Sequence, residues 1–115
     1  MKELNKLQSD LAEFAKARDW DKFHSPKNLA MALAGESGEL LEHFQWLTEE
    51  QSSNLTDEQK EEVATEVADI FMYLLRFSDK TGINLFEACE KKLAINAEKY
   101  PVSKSFGVST KYTKL

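Results

Sequence analysis

AGESGELLEHF, the stretch from Ala34 to Phe44, has the composition of a helix but contains two residues that weaken one. Gly35 and Gly38 each destabilise a helix interior by about 1 kcal/mol relative to alanine. Three acids stand in the same stretch at three-residue spacing: Glu36, Glu39 and Glu42. A segment with both features is expected to do more than stabilise its own helix.

Signals at helix ends predict an all-α fold with four long helices. The predicted helices run from about Glu3 to Arg18, Ser25 to Thr48, Thr56 to Gly82, and Asn84 to just before Pro101. Ser25 is a favourable N-cap, and Pro26 follows at the first helical position, where its missing N–H is tolerated. Thr56 and Asn84 each precede a Gln or Glu by three residues, which is the spacing of a capping box.

The remaining segments are predicted to be a connector and a tail. Glu49–Leu55 is polar, and Pro101–Leu115 is an irregular tail with lysines and no acid. We expect a single domain over residues 1–115, a four-helix bundle with a basic tail. This tail either stays solvated or folds over an anionic site.

Composition excludes several classes of protein. A formal net charge of -5 argues against binding to polymeric nucleic acid. No apolar run approaches the roughly 20 residues of a membrane span, so no membrane association is expected. The single Cys89 cannot form an intrachain disulfide, and Met1–Ser25 lacks the pattern of a signal peptide. These features predict a soluble, cytoplasmic protein.

Two of the predicted helices carry the same acidic pair beside an apolar stripe. The stripe of the second helix contains Leu29, Leu33, Leu40, Phe44 and Leu47, and that of the third contains Val63, Ile70, Leu74 and Phe77. Glu36 and Glu39 border the first stripe, and Glu66 and Asp69 border the second. Because a carboxylate that faces a core must be protonated, paired or bound to a cation, these four acids need a partner.

A divalent cation is the simplest partner, since Lys and Arg are absent from Met31 to Gln59. Carboxylate ligation suits Mg²⁺, with Mn²⁺ as a possible substitute, better than zinc. The alternatives are a solvated acidic face and a ferritin-like di-metal bundle, which would need Glu-x-x-His pairs. His43 is predicted to be a surface or packing residue, and His24 part of a loop. Gly35 and Gly38 are expected to let the helix approach its neighbour closely enough to share the ion.

The paired motifs also resemble those of a known family. Glu36-Ser37-Gly38-Glu39 followed by Glu66-Val67-Ala68-Asp69 is similar to the E-x-x-E…E-x-x-D signature of the all-α, MazG-like nucleoside triphosphate pyrophosphohydrolases. The flanking segments resemble the dCTP pyrophosphatase branch of this family: Ala17–Trp46, Lys92–Pro101 and Lys111–Leu115. Leu11 departs from the pattern, because some relatives carry a histidine there, and selectivity for the base is expected to differ if that histidine contacts it.

The resemblance implies an enzyme that hydrolyses a nucleoside triphosphate to monophosphate and pyrophosphate. It implies Mg²⁺ held by Glu36, Glu39, Glu66 and Asp69, and dCTP or a modified dCTP as substrate. Such an enzyme removes unwanted nucleotides from the pool. Two alternatives stay open: a broader pyrophosphatase for dUTP or oxidised purine triphosphates, and a helical interaction module without activity.

Candidate residues for the nucleotide come from the resemblance and from one interrupted pattern. The aromatic residues matched to the family are Trp20, Trp46 and Tyr73. Asn96 stands in the stripe of Phe86, Cys89, Leu93 and Tyr100, where an apolar residue is expected, and a buried amide needs hydrogen-bond partners. The substrate-binding set is completed by Lys92, Lys99, Tyr100, Lys111 and Tyr112, mostly as phosphate contacts.

The third predicted helix also indicates self-association. Ile70–Leu75 is apolar nearly all round, which exceeds what a one-faced helix in a small domain requires. We expect contacts between subunits there. The resemblance implies a homo-oligomer, either a dimer or a tetramer built as a dimer of dimers.

Overall fold

The computed structural model describes every residue from Met1 to Leu115, in two compact units, Met1–Gly82 and Ile83–Leu115. The first unit contains α1 (Lys2–Ala17), a 3₁₀ helix (Asp21–Phe23), α2 (Pro26–Phe44), α3 (Glu49–Ser52) and α4 (Asp57–Thr81). The second contains α5 (Leu85–Lys99), α6 (Val102–Ser105) and a 3₁₀ helix (Tyr112–Lys114). The structure has no strand, so the predicted all-α fold is confirmed.

The capping residues found in the sequence begin the helices as predicted. The side chain of Ser25 accepts a hydrogen bond from the backbone N–H of Asn28 at 3.2 Å. Thr56 and Gln59 form a reciprocal capping box, with bonds of 2.9 and 3.1 Å. Gly82 ends α4 with a φ of 71°, a conformation that glycine adopts without steric penalty.

The second helix ends earlier than predicted. It stops at Phe44, four residues before the predicted end at Thr48. Thr48 instead begins α3 through a capping box with Gln51, and this role requires an extended backbone at Thr48 (ψ 164°). Because an N-cap residue is not helical, α2 cannot continue through it. The predicted polar connector therefore contains a short helix of its own.

The second unit differs from the prediction only in its tail. Asn84 caps α5 by accepting from the N–H of Glu87 at 3.2 Å. The helix ends at Lys99, because a residue that precedes a proline avoids helical backbone angles. Beyond Pro101 the chain forms α6 and a 3₁₀ helix, so the tail is less irregular than predicted.

The core of the first unit is built around α4. This helix packs most extensively along α2 and also contacts α1. Ala15 and Leu29 are each 1% exposed, and Leu75 is 3% exposed. The side-chain amide of Gln8 donates to the backbone carbonyl of Leu75 at 3.0 Å, which fixes α1 against α4. None of the helices combines the length and apolar character that a membrane span requires.

Packing within the chain accounts for part of the apolar segment Ile70–Leu75. Leu75 is buried within the chain, and Met72 and Tyr73 are partly buried. Phe71 remains 38% exposed, and Val67, one turn before it, remains 49% exposed. The expected subunit contacts therefore depend on a smaller apolar surface than the sequence indicated, and they stay a prediction.

Candidate functional site

Three carboxylates come together where α2 packs on α4. One oxygen each from Glu36, Glu39 and Glu66 lies within 4.8 Å of the others. The spacing of Glu36 and Glu39 places both near one face of α2, and Glu66 comes from the facing helix. Asp69, one turn after Glu66, lies close enough for its charge to act on Glu36.

Burial makes this carboxylate cluster unfavourable without a counter-charge. The Oε2 atoms of Glu36 and Glu66 are both buried, and neither has a hydrogen-bond partner. Burial, followed by the proximity of Glu39, Asp69 and Glu66, raises the pKa of Glu36 from 4.5 to about 7. Buried carboxylate oxygens without partners fit a site that holds a divalent cation.

Basic side chains do not supply that counter-charge. The ion pairs of the chain bring no Lys or Arg nitrogen to the four acids. His43 contacts the cluster, with Nε2 3.7 Å from Glu66 Oε1, and its Nδ1 lies 3.9 Å from Glu62 Oε2. His43 was expected to be a surface or packing residue, whereas the structure places it beside the cluster.

Gly35 and Gly38 were predicted to let α2 approach its neighbour closely, and within the chain this prediction is wrong. A Cβ atom at Gly35 or Gly38 would meet no other atom within 4 Å. Neither glycine is therefore needed for α2 to approach α4. The residues of the apolar stripe of α2 are buried or partly buried, whereas both glycines are exposed.

A cavity of about 180 Å³ lies next to the cluster, and Glu36 and Asp69 form part of its wall. The other residues that line it are Leu11, Phe14, Ala15, Trp20, His24, Met72, Tyr73 and Arg76. Trp20 and Phe14 pack edge to face, with ring centroids 5.7 Å apart. The wall is thus mostly aromatic and aliphatic, and it also contains two carboxylates and a His–Arg pair.

The His–Arg pair belongs to a network that the sequence did not indicate. Nη2 of Arg76 lies 2.9 Å from Oδ1 of Asp21 and 3.2 Å from Nδ1 of His24. Lys80 contacts the same Asp21 oxygen at 2.6 Å. Hydrogen bonds from Lys80 and Arg76 hold the pKa of Asp21 below its ordinary value. A basic residue inside the apolar pattern of α4, at Arg76, was the signal that could have found this network.

Comparison with known proteins identifies relatives of this chain. A model of the MazG-like family matches residues 32–115, which include all four acids. The chain belongs to the MazG-like family. A crystal structure of a pyrophosphatase from Archaeoglobus fulgidus superposes with a TM-score of 0.82 at 40% sequence identity, and the match covers 86% of this chain and 93% of that one.

Curated relatives of this MazG-like chain include mammalian proteins named dCTP pyrophosphatase 1. The protein from Rattus norvegicus is 41% identical over 106 residues, and the match covers 90% of this chain. The proteins from Bos taurus and Homo sapiens are 42% and 40% identical over the same length. The chain spans 62 to 63% of the length of these relatives.

The structure brings only some of the predicted nucleotide-binding residues of the first unit to the cavity. Trp20 and Tyr73 line it, and so does Leu11, the position at which this MazG-like chain departs from some relatives. Trp46 does not line the cavity and is 86% exposed. Trp46 was predicted to lie on the second helix, off its apolar stripe. Because α2 ends at Phe44, Trp46 lies outside that helix.

The remaining predicted contacts lie in the second unit. Tyr100 and Tyr112 pack edge to face with centroids 5.9 Å apart, and Nζ of Lys99 lies 4.6 Å from the Tyr112 ring centroid. Asn96 is partly buried on α5, while Lys92 and Lys111 are exposed. The roles of these six residues in binding a nucleotide stay predictions.

Proposed function

We propose that this MazG-like chain hydrolyses nucleoside triphosphates, with dCTP or a modified dCTP as its substrate, to monophosphate and pyrophosphate. The observation that carries the proposal is the partly buried carboxylate cluster beside an aromatic cavity, with Glu36 common to both and Asp69 also in the cavity wall. The names of the mammalian relatives and of the archaeal structure support the same reaction.

We propose that Glu36, Glu39, Glu66 and Asp69 hold Mg²⁺, for which Mn²⁺ can substitute. The unpartnered oxygens of Glu36 and Glu66 support a hard cation with oxygen ligands. When bound, such a cation offsets phosphate charge and lowers the pKa of water. The four acids also repel the anionic substrate unless a cation lies between them and the phosphates.

The cavity is proposed to take the base. A cavity of about 150 Å³ with apolar walls accommodates a benzene molecule, and the cavity here has about 180 Å³. Trp20 and Tyr73 offer aromatic surface, which stabilises any base by roughly 1–3 kcal/mol by analogy with single-strand binding. Its walls contain no Ser, Thr or Cys, so water is the expected nucleophile.

Replacing Glu39 with Gln tests the proposal. The substitution removes one charge from the cluster at an exposed position, so helix content should persist while dCTP hydrolysis is lost. Glu42→Gln is the matched control, because Glu42 is an exposed acid of the same helix outside the cluster. Hydrolysis is followed by separating the products on an anion-exchange column, with circular dichroism to check folding.

Three results would contradict the proposal. The first is nearly full activity of Glu39→Gln, and the second is full activity in excess EDTA. The third is release of diphosphate and orthophosphate in place of monophosphate and pyrophosphate. A panel of nucleotides in the same assay separates dCTP from dUTP and oxidised purine triphosphates, and absence of all hydrolysis favours the inactive interaction module.

A further inference from the structure

His43 lies on the face of α2 that carries two acids of the cluster. It follows Glu36 by seven residues and Glu39 by four, a spacing that places the three side chains along one side of the helix. The side chain of His43 is 29% exposed, so most of its surface is covered. The imidazole therefore stands within reach of the proposed metal ligands.

Two carboxylates of α4 flank the ring of His43. Nε2 lies 3.7 Å from Oε1 of Glu66, and Nδ1 lies 3.9 Å from Oε2 of Glu62. Glu62 and Glu66 are one turn apart on α4, so the ring contacts both from the facing helix. Both distances are those of an ion pair and are longer than a direct hydrogen bond. Contacts of this kind often shorten when a ligand binds.

The two carboxylate oxygens of Glu66 have different surroundings. Oε1 contacts His43, whereas Oε2 is buried and has no hydrogen-bond partner. A carboxylate that is held at one oxygen cannot turn freely, so it presents the other oxygen to a cation. Groups that hold a metal ligand in this way, without touching the metal, change metal affinity by about 10- to 100-fold.

We propose that His43 is a positioning residue, which donates a hydrogen bond from Nε2 to Oε1 of Glu66 and thereby directs Oε2 to the cation. The inference rests on the proposed function, because it takes Glu66 as a ligand of Mg²⁺. An ionised carboxylate only accepts hydrogen bonds, so Nε2 is the donor whether the imidazole is neutral or charged.

Binding of Mn²⁺ to the metal-free protein, without nucleotide, tests this role independently of catalysis. Free Mn²⁺ gives a sharp electron paramagnetic resonance signal that is lost on binding, so a titration yields Kd. We expect His43→Leu, which removes the donor and keeps a side chain of moderate size, to raise Kd about 10-fold or more. Gln45→Leu is the matched control, because Gln45 is exposed and lies just beyond the end of α2.

Glutamine and asparagine at position 43 separate the two nitrogens of the ring. The amide nitrogen of glutamine takes roughly the place of Nε2, whereas that of asparagine takes roughly the place of Nδ1. We therefore expect His43→Gln to keep Kd for Mn²⁺ within about threefold of the unaltered protein, and His43→Asn to resemble His43→Leu. A purely structural ring would give the same loss in both variants.

The dependence of hydrolysis on Mg²⁺ separates metal binding from the chemical step. Because His43 acts through Glu66, the Mg²⁺ concentration for half-maximal dCTP hydrolysis should rise about 10-fold in His43→Leu. At saturating Mg²⁺, kcat should stay within about threefold of the unaltered protein.

The outcomes separate this inference from the proposed function. An unchanged Kd in His43→Leu would overturn the inference, while the proposed function stands. A lower Kd would overturn it as well, because the ring would then compete with the cation as a counter-charge. If the unaltered protein binds no Mn²⁺, the proposed metal site fails and the inference fails with it. Circular dichroism checks folding, and equal losses in His43→Gln and His43→Asn would overturn the inference even if His43→Leu does not fold.

Discussion

Glu36 is the residue at which burial and charge oppose each other most strongly. Its Oε2 atom is buried without a partner, and burial, followed by the proximity of three further acids, raises its pKa to about 7. In the metal-free protein the carboxyl group is therefore protonated over a pH range in which an ordinary glutamate is ionised. A bound cation has to displace this proton.

The stability of the metal-free protein should decrease as the pH rises through this range. The folded state retains the Glu36 proton up to about pH 7, whereas the unfolded chain releases it near 4.5. Between these values the folded state binds more protons, so the free energy of unfolding falls with rising pH. Thermal unfolding in EDTA at pH values between these two measures the effect.

Glu36→Gln is the control for this pH profile. Glutamine cannot titrate, so the variant should lose the part of the decrease that belongs to Glu36. Parallel profiles for the variant and the unaltered protein would show that Glu36 titrates normally.

The direction in which a side chain faces could be predicted where a local pattern of spacing indicates it. The spacing of Glu36 and Glu39, repeated at Glu66 and Asp69, was enough to predict that these acids face one another across two helices. The contact between His24 and Arg76 joins residues 52 positions apart. Arg76 interrupts the apolar pattern of α4, which indicates that it needs a partner, but no local pattern shows that His24 and Asp21 are the partners.

Replacing a glycine with alanine should change the free energy of unfolding in opposite directions at the end of a helix and inside one. Gly82→Ala places a side chain at a φ of 71° and should lower the free energy of unfolding by about 1 to 2 kcal/mol. Gly35→Ala lies inside α2 and meets no atom within 4 Å, so it should raise stability by about 0.5 to 1 kcal/mol.

Urea denaturation of both variants in metal-free buffer measures these effects. A destabilising Gly35→Ala would show that a neighbouring chain or a bound group fills the space beside α2. A neutral Gly82→Ala would show that the end of α4 relaxes to another conformation.

The ends of helices could be predicted where a single capping residue is the only signal present. Ser25 and Thr56 begin helices as their sequence patterns indicate. Around Thr48 two signals compete, because the apolar stripe of α2 continues to Leu47 while Thr48 caps the next helix. The cap prevails, and Trp46 consequently lies outside any helix. The apolar stripe alone could not show whether α2 ends at Phe44 or continues to Leu47.

Exposed apolar side chains on α2 and α4 predict an assembly of several chains. Val67 and Phe71 lie one turn apart on α4, and Met31 and Leu41 on α2 are 62% and 60% exposed. A monomer would leave these side chains in water, which favours association. We expect light scattering at micromolar concentration to give the mass of a dimer or a tetramer.

Phe71→Glu should reduce this mass, because it places a charge on the exposed apolar surface of α4. Lys2→Glu is the control, since it reverses a charge at the exposed start of α1. A stable monomer for the unaltered protein would contradict the prediction, and so would an unchanged assembly in Phe71→Glu.

The two tryptophans of this chain differ sharply in their surroundings. Trp46 is 86% exposed, whereas Trp20 packs against Phe14 at the cavity and is 45% exposed. Indole fluorescence shifts to longer wavelength in water, so Trp46 should dominate the red part of the emission.

In Trp46→Phe the remaining signal belongs to Trp20, and a base that stacks there should quench it as nucleotide is added. An emission that does not change on saturation with dCTP and Ca²⁺ would place the base away from Trp20. The chain thus carries an optical probe in the wall of its own cavity, with which occupancy can be followed without any label.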